Sequence, residues 1–211
     1  MLGEMQRIKV YKNLNPNELT TQQFLDLEKE IKSKKSNIIS DEYVDFKLWL
    51  RGLPSRQESF ASFLAKKLPK DNKIKILEVG CGRTGRVSRI LGELGFDVTG
   101  IDPKVEILSS GNTKFIKEKF DYTKFDLSKY DFVIAQEPCD ATEHVVRACI
   151  SKRVPFLMSL CGVPHKLING YMPKDENEWY EYLLNISIKD MKLRYLSLDP
   201  ITLTPILKSN F

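Results

Sequence analysis

A chain of 211 residues with 42% hydrophobic and 29% charged residues has ordinary globular composition, which excludes a disordered or collagen-like polymer and leaves room for one domain with an appendage. Lys and Arg number 33 against 28 Asp and Glu, and the resulting charge of +5 permits an anionic partner without requiring one. No apolar run approaches the roughly 20 residues of a membrane helix, and charges interrupt the first ten residues where a signal peptide would be apolar. A cytoplasmic protein is expected. Cys81, Cys139, Cys149 and Cys161 lack a disulfide-framework spacing and read as reduced thiols.

Residues 1–72 have a helical period and read as an N-terminal extension. Asn15 and Pro16 look like the N-cap and first residue of a helix running through Phe24, Leu27 and Ile31. A second helix fits 41–51. A third fits 55–68, where Ser55 and Glu58 have the capping-box spacing, and Pro69 to Asn72 ends it. From Lys73 to Phe211 short apolar strands alternate with helices. The strands are expected at 74–79, 96–101, 114–120, 130–135, 155–160, 193–198 and 203–207, with helices at 87–95, 141–152 and 175–185. Near-continuous apolar strands between helices imply a Rossmann-like α/β fold: a mostly parallel, seven-stranded sheet covered on both faces, its last two strands antiparallel at one edge.

The segment Glu78-Val-Gly80-Cys-Gly82-Arg-Thr-Gly85 follows a strand and opens a helix. Asp102 lies 22 positions after Gly80, at the end of the next strand. That is the context of a nucleotide-binding βαβ unit, in which a side chain at Gly80 or Gly82 would block a ligand and Asp102 can accept hydrogen bonds from ribose hydroxyls. Glu78 would repel a pyrophosphate but suits a ligand bearing a cation.

These residues resemble the class I S-adenosylmethionine-dependent methyltransferase family, over about residues 70–207. The resemblance implies S-adenosylmethionine as cofactor, with Gly80, Cys81, Gly82 and Gly85 cradling its methionine end. It also implies that Asp102 binds the ribose, followed by Pro103, which stiffens that turn. Glu78 would shape the methionine end of the site, and Asp121 would meet the adenine amino group, with Asp126 as the alternative.

The residues after the fourth strand would lie nearest the transferred methyl. Gln136 and Glu137 are the candidate catalytic residues there, and Asp140 or Thr142 is read as the cap of the next helix. The Asn/Asp-Pro-Pro-aromatic signature of amino-methylating relatives is absent, so the acceptor is open between a small molecule and RNA. Arg83, Arg86 and Arg89 around the loop helix are the basic residues available to RNA. Cys139, His144, Cys161 and His165 follow adjacent strands, and a metal site there would need all four to converge; none is expected. The 1–72 extension is expected to shape the acceptor side, its aromatic residues Tyr43, Phe46, Trp49 and Phe60 resting on the sheet. Two alternatives remain: a cofactor-binding module without transferase activity, and an NAD(P)-dependent oxidoreductase, which Glu78 and the lack of a second catalytic domain disfavour.

Overall fold

The computed structural model describes residues 18, 20–33, 46–69, 73–163, 167–188, 191–198 and 205–209. Asn15, Pro16, Tyr43 and His165 fall outside them. The chain divides into two compact units, Met1–Arg56 and Gln57–Phe211.

In the first unit, α1 spans Thr21–Ser33, so the helix begins later than the Asn15–Pro16 signal suggests. Its start is a reciprocal box. The Thr20 N–H donates to Gln23 Oε1 (2.9 Å), and the Gln23 N–H donates to Thr20 Oγ1 (3.3 Å). Residues 46–50 are helical. Phe46 is buried against Leu27, Trp49 and Leu50, its ring stacked on Trp49 at 5.9 Å. These aromatic residues therefore bury one another within their own unit.

The second unit is built on a seven-stranded sheet of order β3-β2-β1-β4-β5-β7-β6. The strands are β1 (Lys75–Val79), β2 (Asp97–Ile101), β3 (Thr113–Ile116), β4 (Phe132–Gln136), β5 (Phe156–Ser159), β6 (Leu193–Leu198) and β7 (Pro205–Ser209). β1 to β5 are mutually parallel, and β7 runs antiparallel to both of its neighbours. This is the expected Rossmann-like architecture. Strand β3 ends at Ile116 rather than 120, which leaves Asp121 in a loop.

Strand parity divides the core in two. Ile76, Val98, Phe132, Ile134, Leu157 and Ile206 point to one face, where they meet Phe60, Ala61 and Leu64 of α2 (Arg56–Lys67) and Val87 and Leu91 of α3 (Arg86–Glu93). Leu77, Val79, Val133, Ala135, Phe156, Met158 and Leu207 point to the other. There they meet Val145, Val146 and Cys149 of α4 (Thr142–Lys152) and Trp179 and Leu183 of α5 (Glu176–Asn185). Phe60 thus completes the core of the sheet unit, where burying such a side chain stabilises by about 1.5–3 kcal/mol. The order reverses between β1 and β4, and in an open α/β sheet such a reversal opens a crevice at the carboxyl ends of the strands.

Candidate active site

Three glycines with positive φ carry the chain from β1 into α3: Gly80 (+76°), Gly82 (+68°) and Gly85 (+48°). Their reasons differ. A Cβ on Gly85 would lie 2.1 Å from the Phe115 ring, so Gly85 serves packing of the loop on β3. One on Gly80 would lie 3.2 Å from Pro138 Cα, so the end of β4 rests on this loop. One on Gly82 would meet nothing within 4 Å. That is the open ground a ligand needs. Cys81 between them is buried, and burial pushes its thiol up, with Glu78 and Asp102 adding to the shift.

Asp102 closes the loop from β2. Its Oδ2 accepts the Gly82 N–H (3.0 Å) and its Oδ1 the Lys104 N–H (2.7 Å). Each oxygen keeps lone-pair capacity for further donors. Pro103 between these partners is exposed.

Glu78 shares the parity of Ile76 and faces α3. Its Oε2 accepts the Ser88 N–H (2.8 Å) and the Ser88 hydroxyl. Gly85, at the N-cap of α3, has no side chain to offer, and Glu78 replaces it from the strand. Burial raises the Glu78 carboxyl to about 7 against the lowering by Ser88, and the charge of Asp102 adds a smaller upward push. Ser88 was the partner sequence reasoning missed, although the spacing of a buried acid two residues before the loop and a serine in the helix's first turn could have exposed it.

Gln136 ends β4 beside Ser159 of β5. The Glu137 N–H donates to the Ser159 carbonyl (2.9 Å). Beyond it the chain turns sharply, with positive φ at two residues that carry side chains, Glu137 (+48°) and Cys139 (+50°). Such backbone costs of order 1–3 kcal/mol per residue and gathers at functional sites. Cys139 to Ala141 form a 3-10 turn that puts Ala141 at the N-cap of α4 with no side-chain cap. Asp140 therefore does not cap the helix, contrary to the expectation. Glu143 in its first turn is buried and accepts from Arg147 Nε (2.8 Å), Tyr182 (2.6 Å) and the Ile168 N–H (2.7 Å). Burial opposes its charge, but these donors outweigh it and hold its carboxyl below the usual range. The result ties the loop after β5 to α4.

Asp121 and Asp126 form the same local turn. Asp121 Oδ1 accepts from the Thr123 N–H (3.0 Å) and hydroxyl (2.7 Å), and Asp126 accepts from Ser128 in the same way. These backbone bonds, then the hydroxyl bonds, hold both carboxyls below the usual range. Their surroundings differ. Asp121 neighbours His144 in the first turn of α4, at the carboxyl end of the sheet, whereas Asp126 neighbours Lys152 at the helix's far end. The Tyr122 N–H donates weakly to His144 Nδ1 (3.5 Å), and the rings meet edge-on at 5.4 Å.

Cys139 and Cys161 come together: Cys139 is the largest influence on the Cys161 thiol, pushing it up, and burial adds to the shift. Among the described residues no group of three His, Cys, Asp or Glu side chains could hold a metal ion. No helix among them is long and apolar enough to cross a membrane. A separate cleft of about 530 Å³ is lined by Arg89, Gly92, Leu108, Asn112 and Phe115, and reaches the amino end of β3, away from Asp102 and Glu137.

Residues 77–151, from β1 to the end of α4, match the sequence profile of a methyltransferase domain. Over that segment, about a third of the chain, the sequence is similar to a methyltransferase domain. Domains of this class take S-adenosylmethionine as methyl donor, and the open ground beside Gly82, flanked by the acceptor oxygens of Asp102, fits a nucleoside ligand. Magnesium protoporphyrin IX methyltransferase from Synechocystis PCC 6803, solved with the cofactor bound, is 17% identical over 93% of this chain and 97% of its own, at a TM-score of 0.48. A glycopeptide N-methyltransferase is 12% identical over 72% and 92%, at 0.46. The methyltransferase domain of a bacterial Hen1 is 14% identical over 72% and 96%, at 0.47. No curated protein sequence is detectably similar.

Proposed function

We propose that this methyltransferase acts on a small-molecule acceptor held over the carboxyl ends of β4 and β5. S-adenosylmethionine, when bound, supplies a methyl group on a sulfonium, which the acceptor takes by in-line displacement, so that positioning contributes much of the acceleration. The residues of the chain then divide the work. Asp102 accepts the ribose hydroxyls, Gly80, Cys81, Gly82 and Gly85 shape the loop around the methionine end, and Pro103 stiffens the ribose turn. Glu78 holds that loop from below through Ser88. Asp121 takes the adenine side; its place beside the first turn of α4 favours it over Asp126. Gln136 and Glu137 orient the acceptor, and the strained backbone at Glu137 supports that role.

The observation carrying the acceptor class is the pairing of the arginines. Arg83 pairs with Glu106 (3.2 Å) and Arg86 with Glu58, so two of the three basic residues open to an RNA backbone already serve acids of this chain. The loop tied down by Glu143 instead exposes Ile168, Tyr171 and Met172. An apolar or aromatic body fits such a surface better than a phosphate backbone does. Helix α2, within the expected 1–72 extension, belongs instead to the core of the sheet unit, and the protein is cytoplasmic in this reading.

Calorimetry with S-adenosylmethionine, S-adenosylhomocysteine and NAD tests the cofactor assignment, and NAD binding in their place would overturn it. Incubation with labelled S-adenosylmethionine and separated small-molecule and RNA fractions tests the acceptor. Label entering RNA alone would refute the small-molecule reading. Cofactor binding without any product would favour the binding-module alternative.

A further inference from the structure

Two features at the end of β4 take no part in the chemistry above. The first is the pair of thiols. Cys139 stands three residues beyond Gln136 and Cys161 two beyond Ser159, and those two residues are partners across β4 and β5. The Cys139 S–H donates to the Glu137 carbonyl at 3.3 Å, and Cys139 is the neighbour that acts most strongly on the Cys161 thiol. Cys139 is exposed and Cys161 half-buried. The second is Thr142. Its hydroxyl is fully buried beside Cys161, yet it has no hydrogen bond of good geometry among the described residues. A buried hydroxyl without a partner is costly, and one placed against a thiol can stabilise a thiolate when it forms.

We propose that Cys139 and Cys161 form a reversible disulfide, made by a peroxide, that locks the end of β4 to the end of β5. The exposed Cys139 meets the oxidant first. Its thiolate attacks one peroxide oxygen, the O–O bond breaks, and hydroxide leaves with a sulfenic acid formed. Cys161, hydrogen-bonded by Thr142 as it loses its proton, then attacks the sulfenic sulfur. The S–S bond forms and the sulfenic hydroxyl leaves as water with that proton. Two thiols and one hydrogen peroxide give one disulfide and two waters, and an external thiol reverses the change. Cys81 and Cys149 are buried, which keeps them from a dissolved oxidant.

The bridge acts next to the cofactor loop. Pro138, adjacent to Cys139, is the residue packed against Gly80. A covalent link at Cys139 therefore restrains the ground on which the glycine loop rests, and cofactor affinity changes by about fivefold or more. This second consequence rests on the cofactor reading given above; the disulfide does not.

The test treats the folded protein with stoichiometric hydrogen peroxide, unfolds it, alkylates it and weighs it. Expected are two alkylated cysteines instead of four, with four restored by a thiol reductant. Cys161→Ser should stop at a sulfenic acid that a cyclic 1,3-diketone traps, and Cys139→Ser should keep three free thiols. Four free thiols in the treated native protein, or the same loss in Cys161→Ser, would overturn the proposal, as would sulfinic acid at Cys139 in place of the bridge. Thr142→Val, which keeps the shape, should form the bridge more slowly; an unchanged rate would remove Thr142 from it. S-adenosylhomocysteine titrations of both redox forms complete the test. Equal affinity would refute the coupling to the loop, whereas no binding to the reduced form would strike the cofactor reading and leave the disulfide standing.

Discussion

Strands β1 and β4 lie side by side, and both leave the sheet through backbone with positive φ, but they do so with different residues. After β1 the positions are Gly80, Gly82 and Gly85; after β4 they are Glu137 and Cys139. Glycine adopts this backbone without steric cost, so the first turn is a stable cradle whose shape follows from its composition. Side chains at the second turn make it strained, and the fold must hold it there through Glu137 N–H to Ser159 and Pro138 on Gly80. One end of the crevice is lined by unstrained glycine backbone. The other stores strain beside it.

The largest expected effect breaks the first turn. Gly85→Ala puts a Cβ into the Phe115 ring and a side chain into left-handed backbone, so it should cost about 3–5 kcal/mol in denaturant melts. Gly82→Ala has open space and should spare much of that stability while weakening cofactor binding, and similar losses of stability in both variants would dissolve the distinction between packing and ligand glycines. Next comes the acid below that loop. Glu78 is raised in the fold, so the folded protein binds more protons than the unfolded one between about pH 4.5 and 7. Its contribution to stability therefore falls as pH rises through that window, by on the order of 3 kcal/mol, and is level above it. In Glu78→Gln this part of the pH dependence should vanish; a wild-type slope retained in the variant would place the titration elsewhere.

Asp102→Ala removes the acceptors proposed for the ribose and the tie to Gly82, and should weaken S-adenosylhomocysteine binding by about 2–4 kcal/mol, or roughly 30- to 1000-fold. Unchanged affinity in a folded variant would dismiss the assignment. The smallest effect tests the second turn. Glu137→Gly relieves a strained residue and should raise stability by about 1 kcal/mol while lowering turnover. A variant that is both less stable and fully active would show that the strain has no role.

The same contrast explains what could be read from the sequence. Glycine spacing, apolar strands and Asp102 are local signals, and the sheet with its loop follows from them. Strand parity even held the answer for Glu78, since a residue two from Ile76 must face the same helix. The turn at Cys139 gave no such sign. No glycine marks its positive φ, so Asp140 looked like a cap when the 3-10 turn had moved the N-cap to Ala141. Likewise the Asn15–Pro16 pair was a stronger written signal than Thr20 and Gln23, yet those two form the box that opens α1. The pairing of Arg83 and Arg86 with acids 23 and 28 positions away depends on the tertiary fold and was not legible at all.

Strand β7 sits between β5 and β6, and it is made last. Until residues 205–209 have been added and paired, the edge of β5 is an open border of unpaired amides and carbonyls. Chains in which β7 has not yet paired thus carry a sticky seam along β5, where chaperones and neighbouring chains compete for exposed strands. Slowing translation just upstream of β7 should lower the soluble yield more than an equal pause upstream of β2.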